Sequence, residues 1–589
     1  MPPAPLPLDI RLFEWVDHNG WAYWLIAWSV LAFVLACALA PLAGLRPTSA
    51  APAPDRRPLW LRLLASKSLF AIAVLLIFCA FRWPLWFAGP LENPDEAEWI
   101  AGALTLRDGG LPWKSIDCHT SGPLNPATLL LTIPLGLPLD YVGARVFTSL
   151  LQAASVLALW GAARRLVPEW AARLAILPAV NLWACRWFHD IGQYSSEQTS
   201  VLLLALAGWA GAVALTSLRP RLRLALFTAT GSLVTLPLFA KPQSLLLSAM
   251  LGLLLLGAIC LQPAATEGST PPTRRERWWH AGSLVLGAMI PVAAFLGYIW
   301  LYGLAEQFRI FYWESNVLYA SSERSYALCD SPETFFDLVN PIRGFTSATV
   351  GVLVFGLLVL LPACTTSCTA RRRLACAWLL VGTAFLTIIS PGRIFRHYVH
   401  FLVLPLAWLA AVSLADTHDY LLQIFPSRRH LQLWLATAFL LVTAAWPIWQ
   451  TANLYPPMNG QLFFWRERQI STAGSQLRAL SEPGDKLVVW GWTPGYHVEA
   501  GLGQGSREAH CGLIINPGPL QSHYRHRFLF DLRRNRPRWF VDAVAPGQFG
   551  YQDRSLFGHD TWPELRELIA ANYDLIADAD GVRIYRHKD

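Results

Sequence analysis

LFAIAVLLIFCAFRWPLWFAGPLENPDEAEW, residues 69–99, begins as an apolar run of about twenty residues, the length that crosses a bilayer. It ends in four carboxylates: Glu92, Asp95, Glu96 and Glu98. A segment that has just left hydrocarbon and at once gathers acids is an anchor followed by a polar site, and the rest of the chain is read outward from it. The composition agrees with the anchor: 54% of the 589 residues are hydrophobic and only 15% charged, where a soluble protein carries roughly a quarter. A polytopic α-helical membrane protein is therefore expected.

Apolar windows fall at about 21–44, 69–89, 142–163, 170–187, 198–217, 224–240, 244–261, 281–302, 348–363, 374–390, 399–415 and 431–449, about twelve spans. Because Lys241 and Pro242 stand in its middle, the 224–261 region reads equally as two spans or as a re-entrant pair. The alternate loops 45–68, 164–173, 218–223, 262–280, 364–373 and 416–430 hold 19 Lys and Arg against 8 in the loops between them. By the excess of basic residues in cytoplasmic loops, the first set faces the cytoplasm. The 91–141 and 304–347 loops and everything after 450 then lie outside. ACALA at 36–40 resembles a signal cleavage site, but the preceding stretch lacks a basic region and the apolar run is too long, so 21–44 is kept as a span.

The chain divides into 1–68, an extra N-terminal span with a basic loop; 69–449, the membrane region; and 450–589, a soluble domain of α/β type. In the last, a strand is expected at 486–490, helices at 519–535 and 562–572, a strand in RPRWFVDA, and a terminal hairpin in YDLIADADGVRIYRH. GLGQGS at 501–506 does not join strand to helix as a phosphate loop must. The ten cysteines show no metal spacing, and of them only Cys118, Cys329 and Cys511 fall in external regions, room for one bridge at most. The formal charge of +8 is accounted for by loops facing anionic lipid and calls for no nucleic acid.

For the acids after the anchor, the bland reading is a helix cap: Asn93 as N-cap, Pro94 at the first position and Glu96 at the third, a capping box. It leaves Glu92 and Glu98 crowding the same turn. A helix lying on the membrane surface, burying Trp99, Ala103 and Leu106, would put Asp95 and Glu96 at a lipid boundary. There desolvation raises a carboxylate's pKa and prepares a general base. Metal binding by the acids is a third reading.

NPDEAEWIAGALTLRDGGLPWKSIDCHTSGPLNPATLLL resembles the first external loop of the GT-C membrane glycosyltransferases, in the bacterial branch related to protein mannosyltransferases and lipid A aminoarabinose transferases. FHDIGQYSSEQTS (188–200), FAKPQSLLL (239–247), GRIFRHYVHFLVLPLA (392–407) and a final domain opening on GDKLVVWGW extend the resemblance over most of the chain from 69 onward. It implies a GT-C fold and transfer of a sugar, with inversion, from a polyprenyl-phosphate donor to an acceptor hydroxyl on lipid, glycan or protein. The reaction would take place outside a bacterial cytoplasmic membrane. Asp95 matches the family's catalytic acid and is expected to be the base, with Glu96 supporting it. Asp190 is expected to orient substrate, with Glu197 a rival for that role.

The departing lipid phosphate needs donors, for which Lys241, Arg393, Arg396 and His397 are candidates. Ser121 and Gly122 stand where aminoarabinose transferases carry a lysine, with His119 as a candidate replacement, which argues against a lipid A enzyme and leaves the donor sugar open. No cofactor is implied. No residue is assigned as a metal ligand, and the need for a divalent cation is left open. The alternative is a transporter or flippase of lipid-linked sugars, which predicts charges within the spans and two repeated halves; no internal repeat is visible.

Overall fold

In the computed structural model residues 19–44, 58–87, 94–185, 189–261, 272–321, 368–391, 395–425, 431–441, 443 and 470–588 are described. Eight of the described helical segments are long and apolar enough to cross a membrane: 21–42, 141–163, 196–216, 220–239, 242–260, 274–301, 368–389 and 397–424. The helices that matter below are α1 (Gly20–Leu39), α2 (Lys67–Trp86), α3 (Asp95–Arg107), α4 (Tyr141–Ala163), α5 (Ser196–Thr216), α6 (Pro220–Thr235), α7 (Leu245–Cys260), α8 (Arg274–Leu301), α9 (Cys368–Ile389) and α10 (His400–Ile424). The chain is a polytopic helical membrane protein with a C-terminal domain built on a sheet.

The 224–261 region is two spans, and Lys241 sits at the turn between them. The apolar run at 170–187 is not one span but two short helices, Glu169–Ala175 and Leu177–Cys185. Pro178 supplies the reason: a proline one residue into a turn has no N–H to return to the preceding one. The expected span at 348–363 lies outside the described residues, and of 431–449 the described part is the apolar helix Leu431–Leu440.

With lipid on the outside, helices gain by close approach, and small residues permit it. A Cβ on Gly231 of α6 would meet the Leu284 carbonyl oxygen at 2.0 Å, and one on Gly287 of α8 the Thr228 carbonyl oxygen at 1.9 Å. Between these glycines Ser232 Oγ donates to the Gly287 carbonyl at 2.8 Å. The extra N-terminal helix is tied in by Arg173, which donates to the carbonyls of Cys37 (2.7 Å) and Ala65 (2.7 Å) and lies 4.7 Å over the Phe70 ring. Carbonyls at helix ends lack intrahelical donors, so one buried guanidinium satisfies two of them.

The C-terminal sheet has the order β2-β1-β3-β5-β4, from strands β1 (Lys486–Trp490), β2 (Gly503–Gln504), β3 (Trp539–Asp542), β4 (Tyr573–Ala579) and β5 (Val582–His587). β1 pairs in parallel with β2 and β3, and β5 runs antiparallel to both β3 and β4. Helix α11 (Gln521–Asn535) packs Phe528 and Leu532 into one face with Trp490 and Phe540. GLGQGS is an edge of this sheet rather than a ligand loop. Its Gln504 N–H donates to Thr105 Oγ1 at 2.8 Å, so the domain edge is joined to α3.

Candidate active site

Asp95 is the first residue of α3, behind Pro94 in the N-cap position. Asn93, and with it the N-cap of the expected capping box, lies outside the described residues; what is described is Glu96. Its carboxylate turns inward and accepts from Arg145 Nε (3.0 Å) and Nη2 (2.8 Å) and from the Tyr194 backbone N–H at 3.0 Å. A fully buried guanidinium offers the carboxylate two bonds from a full opposite charge where a cap offers one from a neutral N–H, which decides the direction. Nor does α3 lie on a surface with one wet face. Every residue from Glu96 to Thr105 is buried, between the bundle and the C-terminal domain.

Asp95 itself is half-buried, with Lys241 and His397 as attracting neighbours and Glu98 and Glu197 as repelling ones. Burial dominates and holds its carboxyl above the usual Asp range; His397 and Lys241 offset part of that, and Glu98 and Glu197 add to it. Lys241 Nζ is 3.2 Å from Glu197 Oε1, and His397 Nε2 is 4.0 Å from the same oxygen. Lys241 also stands 5.4 Å from the centre of the Tyr398 ring. Four of the residues singled out in sequence, Asp95, Glu197, Lys241 and His397, therefore form one electrostatic group drawn from four segments of chain.

The remainder are placed differently. Asp190 is half-buried in the four-residue helix His189–Gly192, which packs against the 396–399 turn. Arg393 lies outside the described residues, and of Arg396 only the backbone is described. His119 faces Glu98, with its Nε2 3.8 Å from Glu98 Oε1. The 304–347 loop is described as far as Ser321, and there Phe311 and Tyr312 are buried packing. Tyr312 lies 5.3 Å from the ring of Trp113, and Phe311 is 5.0 Å from that of Tyr524. Cys118 and Cys511 are both buried free thiols, and Cys329 lies outside the described residues.

Three residues that sequence reasoning did not assign come from the loop and the C-terminal domain. His510 Nε2 is 3.4 Å from Glu98 Oε2. Arg527 on α11 pairs with Asp117, and its Nη2 donates to Glu508 Oε1 at 2.8 Å. Asp117 Oδ1 in turn accepts from the His119 backbone N–H at 2.9 Å. Burial alone would raise Asp117, but Arg527 and then His119 outweigh it and hold the carboxyl below its usual range. Glu98 was within reach of sequence reasoning, since position i+3 from Asp95 shares its helix face. His510 and Arg527 carried no such signal.

No protein-family model matches the chain, and no curated protein matches it. Among solved structures it is similar to ArnT from Cupriavidus metallidurans bound to undecaprenyl phosphate, at 15% identity and a TM-score of 0.55, over 88% of this chain and 97% of that one. The same protein in the apo state gives 14% and 0.49, over 87% and 98%. The oligosaccharyltransferase AglB from Archaeoglobus fulgidus, in complex with an inhibitory peptide and a dolichol-phosphate, gives 12% and 0.45, over 81% and 70%. At such identities the first of these establishes a shared fold, one that covers most of both chains.

Proposed function

We propose that this polytopic protein with the GT-C fold transfers a sugar from a polyprenyl-phosphate donor to an acceptor hydroxyl on the extracytoplasmic side of a bacterial cytoplasmic membrane, with inversion. The observation that carries the reading is Asp95, a carboxyl raised by burial and set among Lys241, His397 and Glu197 at the C-terminal-domain end of the bundle. An inverting displacement needs one group to take the proton of the acceptor hydroxyl and others to meet the charge of the departing phosphate. Asp95 suits the first task. Lys241 and His397 suit the second, and Glu197 holds their charge in place until the phosphate competes for it. Among solved GT-C folds, ArnT with undecaprenyl phosphate bound supports a lipid-linked donor. Glu96, locked to Arg145, acts by fixing α3 rather than by touching substrate. Asp190, Arg393 and Arg396 remain proposed substrate contacts on the same side. The sugar, hexose or pentose, and the acceptor, lipid, glycan or protein, are questions for assay.

Membranes holding the wild type or Asp95→Asn at equal folded yield, offered a panel of radiolabelled polyprenyl-phosphate sugars, test the reading. One donor should be consumed by the wild type, and the variant should lose at least ~100-fold in rate, as removal of a general base does. Full activity in the variant overturns the role of Asp95. Absence of turnover with every donor overturns the transferase and brings forward transport of lipid-linked sugars.

A further inference from the structure

Beside the group around Asp95 is a second one that the proposed transfer does not use. Glu98, His119 and His510 each offer one ligand atom, and these atoms lie within 4.8 Å of one another. All three residues are at least nine-tenths buried, at 8%, 7% and 7% exposure. Two of the inward-facing atoms, Glu98 Oε1 and His119 Nε2, have no hydrogen-bond partner among the described residues. A buried carboxylate oxygen and a buried imidazole nitrogen, each unsatisfied and 3.8 Å apart, cost free energy unless something sits between them.

The surroundings hold the rings in place. His119 stacks on His510 with ring centres 5.1 Å apart, and His510 stacks on Trp492 at 4.8 Å. His119 has a backbone φ of +40°, an uncommon value for a residue with a Cβ, and its carbonyl accepts from Asn316 Nδ2 at 3.2 Å. Strain kept at a buried polar residue points to use of its side chain.

We propose that Glu98, His119 and His510 bind one divalent transition-metal cation of the zinc class. Two imidazoles and a carboxylate are the donor set such ions take with one position left open. Four-coordinate zinc holds neighbouring ligand atoms roughly 3.3 Å apart, and the three ligand atoms, within 4.8 Å of one another, draw together to reach it, His510 from 3.4 Å off Glu98 Oε2 and His119 from 3.8 Å off Glu98 Oε1. One contact must give. The Gly512 N–H points at His510 Nδ1 at 3.2 Å, which puts the metal-free ring's proton on Nε2, toward Glu98. A cation replaces that proton, the ring takes its other tautomer, and the Gly512 contact lengthens. Since the ligands come from α3, the first loop and the C-terminal domain, the ion would join all three, through a carboxylate, Glu98, one helical turn from Asp95.

The test counts metal and does not depend on transfer. Tag-free full-length protein in detergent is stripped with chelator, equilibrated with Zn²⁺ alone and analysed for bound metal. The wild type should hold one equivalent, and Glu98→Gln, His119→Gln and His510→Gln should each lose at least ~10-fold in affinity, the lower end of what disturbing a metal shell costs. His523→Gln, on an exposed position of α11, should match the wild type. Wild-type protein with no zinc above a protein-free blank overturns the proposal, as do three variants binding like the wild type. If a histidine variant fails to fold, the near-isosteric Glu98→Gln decides with Co²⁺ in place of zinc: a visible spectrum in the wild type that persists unchanged in the variant overturns the site. Loss of sugar transfer with metal retained bears on Asp95 alone.

Discussion

At the scale of residues, three acids within four positions meet three fates, because each finds different partners. Asp95 faces Lys241 and His397, Glu96 meets Arg145, and Glu98 meets two histidines. The crowding that looked costly in sequence is relieved by partners, each acid having its own. For Asp95 the consequence is a pH dependence. A base works only when ionised, and burial places this carboxyl above its ordinary range, against the pull of His397 and Lys241 and with the push of Glu98 and Glu197. Activity should therefore be full at high pH and fall, as pH drops, through that raised value. A pH profile of kcat/KM should show an acidic limb nearer neutrality than a solvent-exposed aspartate would give. A profile that stays flat down to about pH 4, the ordinary Asp value, would remove Asp95 as the ionising base. The place of Asp95 in a charged group at the start of α3 was legible because it carries both a motif and a burial argument. The fate of Glu96 was not, since Arg145 lies inside a run read only as an apolar span and no spacing rule pairs residues so distant in the chain.

At the scale of elements, hydropathy located most of the membrane helices because lipid imposes length and composition on each one separately. It failed at 170–187, where total apolarity hid the break at Pro178, and it could not choose between a re-entrant pair and two spans around Lys241. That turn is fixed by a contact with the first loop. The Gly122 N–H donates to the Ala240 carbonyl at 2.9 Å, and a Cβ on Gly122 would meet the Phe239 carbonyl oxygen at 2.0 Å. The obstacle is backbone, so an added methyl cannot be absorbed by a rotamer change. Gly122→Ala should push the loop off the turn that carries Lys241, costing about 1–3 kcal/mol by overpacking together with much of the transfer activity. Gly208→Ala, at a helical position with open space around it, is the control for the substitution itself. Thermal unfolding in detergent and donor turnover read both; equal behaviour of the two variants would mean the loop and the turn are not in contact.

At the scale of the whole molecule, the C-terminal domain is fastened to the first loop by buried charge. The Asp117 N–H donates to the Arg507 carbonyl at 2.6 Å, and Arg507 reaches the Lys114 carbonyl at 3.2 Å and Gln307 Oε1 at 2.8 Å. Arg527 lies between Asp117 and Glu508, with its guanidinium 3.5 Å from the Phe311 ring centre. Sequence showed this domain's strands and helices, since those follow local patterns, but not its role. The groups that dock it are some 400 residues from the loop they hold, and charges read singly look like a solvated surface. Docking matters to the site because Asp117 also orients His119. Arg527→Met keeps length and removes the charge, leaving Asp117 and Glu508 buried without their counter-ion, a loss that costs about 3–5 kcal/mol in comparable settings. The melting temperature should fall accordingly. Adding Asp117→Asn and Glu508→Gln to Arg527→Met should restore part of the loss, because neutral amides no longer need the missing cation. If Arg527→Met melts like the wild type, or the triple variant is as unstable as the single one, the domain is held by its apolar contacts instead, and Arg527 has no part in positioning His119.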